Sequence, residues 1–165
     1  MSTWFLILCQ FSIIAFALVG GIFLAFSDFI MRSLDRAHSP AGIEVMQVIN
    51  REVFKYVFMT LFLGMAAVSL VIIGYTYAYL AGPAATLIML AAGLYLVGVF
   101  GVTLLFNVPL NNLLKDMDYT SDEALDFWKT RYLPNWTFWN SVRTFASVLA
   151  ASCYLFAMIW LAQGR

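Results

Sequence analysis

Gly101-Val102-Thr103-Leu104-Leu105-Phe106-Asn107-Val108-Pro109-Leu110-Asn111-Asn112 is the stretch where a long apolar run ends and the chain turns polar. The run behind it, residues 84–106, is long enough to cross a bilayer, because a hydrocarbon core of ~30 Å needs about 20 apolar residues in a helix. Gly93, Gly98 and Gly101 would weaken a soluble helix but suit close packing in lipid. Asn107-Val108-Pro109 then removes one backbone hydrogen bond at the membrane border, where the freed carbonyl needs a partner. The neighbouring amides are suited to supply it. The proline is expected to turn the helix so that Asn107 and Asn111 face the bundle axis.

Three further runs read the same way: 4–26, 56–80 and 138–162. The strictly apolar part of the last is nearer 144–162, which sets Trp139, Asn140 and Arg143 at its border. Hydrophobic residues make up 63% of the 165 and charged residues only 11%, against roughly 25% charged in soluble domains. The zero net charge gives no reason to expect nucleic acid as a partner; the bilayer is the expected one. The fold class is therefore all-α: a single integral membrane domain, 1–165, with four transmembrane helices running up-down-up-down. Two polar helical segments, 27–55 and 113–135, cap one end.

Eight of the nine basic residues lie in or beside those polar segments, and only Arg165 lies at the other end. The positive-inside rule then places the segments in the cytoplasm and both termini outside, in the cell (inner) membrane. The apolar start without a basic lead-in reads as a retained span rather than a signal peptide. Cys9 and Cys153 fall inside apolar runs and read as buried free thiols in the same leaflet. Ala17, Gly21 and Ala25 form a small-residue row on the first span, which could pack within the bundle or between protomers of a homo-oligomer.

Within the first polar segment, Asp28, Arg32, Asp35 and Arg36 have the spacing of local ion pairs. Ser39-Pro40 reads as a helix start, with an amphipathic helix running on into the second span. In the second polar segment, Thr120-Ser121-Asp122-Glu123 fits a capping box with Thr120 as the cap. A short helix is expected to follow and stop at Pro134.

Stacking the borders of the four spans collects Ser27 and Asp28, Asn50 and Arg51, Asn107 and Asn111, and Asn140 and Arg143 at one level. Such residues can simply satisfy helix ends and reach headgroups. They can equally line a pocket where amides hold a ligand's oxygens and arginines counter its charge. Trp128, Tyr132, Trp136, Trp139 and Arg143 recur at helical spacing, as an interfacial belt or as the wall of a site for a flat aromatic ligand. His38 is the one side chain that titrates near neutral pH unaided. One histidine excludes bis-histidine haem, and the Glu-x-x-His pairs of di-iron bundles are missing. No Walker motif, glycine-rich nucleotide turn or nucleophile elbow occurs.

Phe26-Ser27-Asp28-Phe29-Ile30-Met31, Met46-Gln47-Val48-Ile49-Asn50-Arg51, Asn107-Val108-Pro109-Leu110-Asn111, Trp128…Tyr132 and Trp136…Asn140…Arg143 together resemble the anthrone oxygenase-like family of small four-span membrane proteins. The resemblance covers about residues 15–160. It implies oxidation of anthrones to anthraquinones by molecular oxygen, without a metal, flavin or other cofactor. The substrate would be a lipophilic phenolic, anthrone-like or quinol-like molecule. On this reading His38 or Asp28 is the base that removes the acidic carbon-bound proton. Asn50, Arg51, Asn107, Asn111, Asn140 and Arg143 hold the enolate oxygen, and Trp136 and Trp139 wall the site. The residues also admit a non-enzymatic membrane protein, either an assembly partner or a binder of a lipophilic small molecule.

Overall fold

The apolar runs are helical in the structure, a computed structural model that describes residues 2–37, 40–55 and 57–164. Among these residues there are five helices and no strand. They are α1 (Thr3–Arg36), α2 (Ala41–Glu52), α3 (Val57–Tyr79), α4 (Pro83–Lys115) and α5 (Asp122–Ala162). All except α2 are long and apolar enough to cross a membrane. In α1, Trp4, Ile7, Phe11, Ile14, Leu18 and Ile22 recur every three or four residues and are exposed, while Phe5, Cys9, Ser12, Phe16, Val19 and Phe23 are buried. So extensive an apolar exterior is unstable in water but matches lipid.

α5 packs along α1 and α4, and α3 closes against α4 and α1. Gly98 permits the closest of these approaches, since a Cβ there would lie 2.6 Å from the Ala146 Cβ. Phe16 stacks on Tyr95 at 4.2 Å in the core, and the Tyr95 hydroxyl donates to the Phe62 carbonyl (2.9 Å). Ser12 and Ser69 donate to carbonyls four residues back on their own helices. These bonds keep polar groups satisfied where water cannot reach. Cys9 and Cys153 are buried and free, as expected.

A second apolar cluster joins the ends of the helices: Met31 of α1, Ile43 and Met46 of α2, Leu114 of α4, and Phe127, Trp128 and Tyr132 of α5. The buried Gln47 of α2 donates to the carbonyls of Leu114 and Met117 (2.8 and 2.9 Å), closing the C-terminal end of α4, where carbonyls lack intrahelical partners.

Several expectations are corrected. Pro134 does not stop a helix: α5 runs continuously past it. Both Pro134 and Pro109 follow a wide π-helical turn, Trp128–Tyr132 and Thr103–Asn107 respectively. Such a turn shifts the hydrogen-bond register, so the missing N–H and the ring are accommodated without a break. α2 does not run unbroken into α3. A tight turn at Val53–Lys55 intervenes, and it lets the apolar face of α2 dock across the helix ends instead of projecting along the axis of α3. Ser121, not Thr120, caps α5, its hydroxyl accepting from the Ala124 N–H (3.1 Å). Thr120 instead donates twice to the Asp118 carboxylate, which holds that group below its usual pKa. Pro40 is the residue before α2 rather than its first, and Ser39 lies outside the described residues. Ala17 and Gly21 face outward, and it is Gly20 that meets α5, at Ser147. The ion pairs expected among Asp28, Arg32, Asp35 and Arg36 do not form; among the described residues the only ion pair is Lys55–Glu52.

Candidate functional site

Asn140 is fully buried on α5. Its Nδ2 donates to the Phe23 carbonyl (2.6 Å) and to the Ser27 hydroxyl (2.7 Å). A backbone carbonyl can only accept, so the amide orientation is fixed and Oδ1 must face the other way. There it accepts from Arg143 Nη2 (2.6 Å). Arg143 Nη1 donates to Thr103 Oγ1 (3.1 Å) on α4. The guanidinium lies 4.2 Å from the Phe23 ring centroid and 5.3 Å from that of Trp136. Arg143 is only 5% exposed, its Nε is buried without a partner, and no carboxylate pairs with it among the described residues. Desolvating a cation is costly unless it is compensated. Here the compensation is two ring faces and two neutral oxygens, which leave the positive charge in place.

A second set of bonds fixes Asn111. Its Oδ1 accepts from the Tyr132 hydroxyl (2.8 Å) and from Trp136 Nε1 (2.9 Å). An indole N–H is a donor only, so the carbonyl of Asn111 must face it and the amide NH₂ is left without a partner among the described residues. Asn50 Nδ2 donates to the Tyr132 hydroxyl (3.4 Å), which leaves Asn50 Oδ1 as a free acceptor.

These groups border a cavity of about 360 Å³ reached by all five helices. Phe23 and Phe26 come from α1, Met46, Asn50 and Glu52 from α2, and Phe58 and Phe62 from α3. Thr103 and Asn111 come from α4, and Trp136 and Arg143 from α5. Among the lining residues Ile22 and Phe54 are the exposed apolar ones. The walls are apolar, with polar atoms at few points, as is usual for sites that hold small organic molecules. Phe26, Thr103, Asn107 and Tyr132 all sit in wide π-helical turns, which are frequent at functional sites.

Of the residues expected to bind a ligand, Asn50, Asn111, Trp136 and Arg143 line this cavity. Asn107 and Asn140 are buried behind it and hold other groups: Asn107 Nδ2 donates to the Trp136 carbonyl (3.1 Å). Trp139 lies outside, stacked on Phe106 at 3.6 Å. Arg51 and Asp28 are exposed and do not line it. His38 lies outside the described residues. Glu52 is the one carboxylate among the lining residues, and neither it nor Thr103 was expected. Thr103 had a readable signal, since Thr103, Asn107 and Asn111 recur every four residues in an apolar context. Glu52 had none, because the turn at Val53–Lys55 that brings it to the cavity has no distinctive residues. Among the described residues no three His, Cys, Asp or Glu side chains form a metal-binding group.

The family model for anthrone oxygenase matches residues 51–153, a range that holds α3, α4 and most of α5. No curated protein and no solved structure matches the chain.

Proposed function

The chain belongs to the anthrone oxygenase family, and from that premise we propose that its cavity binds and oxidises a lipophilic phenol of the anthrone or quinol type. The observation that carries this reading is Arg143, a buried cation in no ion pair among the described residues, on the wall of a mostly apolar cavity. A site of this kind stabilises an oxyanion that forms within it. The positive charge is already desolvated and oriented, so it stabilises the developing anion without reorganisation.

The chemistry then assigns itself to the lining residues. Glu52, which lines the cavity where Asp28 does not and pairs with Lys55, takes the proton from the acidic CH₂ of the bound anthrone. The electron pair moves onto the carbonyl oxygen, which the Arg143 guanidinium and the Asn111 amide hold as an enolate. Phe23, Phe26 and Trp136 wall the aromatic rings. The enolate carbon reduces molecular oxygen and forms the new C–O bond. Overall the CH₂ and O₂ become C=O and H₂O, with the removed proton returned to water. The chain is a single integral membrane domain, with both termini outside and the long polar segments in the cytoplasm of the cell. The cavity takes its substrate at that cytoplasmic border.

Oxygen uptake by the purified protein with emodin anthrone tests the reading. The expected result is a rate above spontaneous oxidation, with one oxygen consumed for each anthraquinone formed. Saturable binding of the anthrone without oxygen uptake would leave a binder and remove the enzyme. Neither binding nor uptake would remove the pocket reading for this substrate class.

A further inference from the structure

A separate groove of about 580 Å³ lies on the outer side of the α1–α5 contact. Its cations are Arg32 and Arg36 of α1 and Lys129 of α5, against one acid, Asp35. None of the three is in an ion pair among the described residues. Asp35 Oδ1 is taken by the Trp128 indole N–H (3.2 Å). Arg32 and Arg36 stand one helical turn apart, a spacing at which like charges repel. Thr137 lines the same groove, with its hydroxyl turned away from solvent. Below the cations the wall turns apolar at Leu133 and Phe138.

Cations above and apolar side chains below them match one amphiphile in its natural orientation. We propose that this groove is a site for the phosphate headgroup of an anionic phospholipid. Arg32, Arg36 and Lys129 hold the phosphate, and an acyl chain descends past Leu133 and Phe138. Basic recesses between the ends of membrane helices select anionic headgroups in this way. A free phosphate shares the charge chemistry but leaves the apolar wall unused, and the lipid is therefore the occupant. The site depends on the chain being in a bilayer and is independent of any reaction in the cavity.

The test uses the full-length protein in detergent, read by native mass spectrometry with phosphatidylglycerol, with phosphatidylcholine, and with inorganic phosphate. Wild type should retain phosphatidylglycerol in preference to phosphatidylcholine. The Arg32→Gln/Arg36→Gln variant should bind it roughly thirtyfold more weakly. Lys115→Gln/Arg131→Gln removes the same charge from the same end of the molecule and should retain wild-type binding. Circular dichroism of each variant establishes that it is folded. Equal weakening in both double variants would reduce the effect to bulk charge and overturn the site. So would absence of a preference for phosphatidylglycerol, or displacement of it by millimolar inorganic phosphate.

Discussion

Arg143 illustrates how a residue can be legible while its neighbours are not. A lone arginine beside an asparagine at the edge of an apolar run stands out because charge is expensive there. The same reasoning found Asn50, Asn111 and Trp136, which reach the cavity. It misplaced Trp139, which follows Trp136 by three residues and so falls about 60° off its direction. Arg143 follows by seven and returns to within about 20°. Asn140 and Asn107 were read as ligand groups, yet their donors are committed to backbone carbonyls. Only the fold could reveal this, because the accepting carbonyls of Phe23 and Trp136 carry no sequence signature. Glu52→Gln should lower kcat for an anthrone by about 10²–10⁴-fold, while Asp28→Asn should leave it near wild type, both measured by oxygen uptake. Asn140→Ala leaves the Phe23 carbonyl, the Ser27 hydroxyl and Arg143 Nη2 short of a partner. It should destabilise the protein by about 1–3 kcal/mol in equilibrium unfolding from detergent micelles, and equal stability would remove it as the anchor of Arg143.

At the scale of helices, the length and spacing of apolar residues were enough to place all four spans. Pro134 misled because the usual effect of a proline is to end a helix. A wide turn ahead of Pro109 and another ahead of Pro134 absorb that effect. Wide turns have no residue code, so they could not be anticipated, although four of the cavity's lining and supporting residues sit on them. Close contact between α4 and α5 then sets how Thr103 meets Arg143. Gly98 is the point of closest approach. Gly98→Val should cost about 1–3 kcal/mol through overpacking and lower oxygen uptake as well. Adding Ala146→Gly should recover part of the stability, because the clash is with the Ala146 Cβ. No recovery in the double variant would show that the contact does not limit the packing.

Over the whole molecule, two apolar clusters frame a border where the polar atoms collect. The larger cluster holds the spans and the smaller one holds α2 against the ends of α1, α4 and α5. The cavity lies where they meet, with residues of both on its walls. That placement sets apolar walls beside a fixed cation. On the proposed reading, stabilisation of an enolate by Arg143 is separable from the oxygen chemistry. Anaerobic mixing of the protein with an anthrone, followed by absorbance, reads this step alone. Wild type should develop the enolate band at a pH where the free anthrone remains neutral, and Arg143→Gln should not. A bound anthrone that stays neutral in wild type, or an equal enolate band in Arg143→Gln, would contradict the claim.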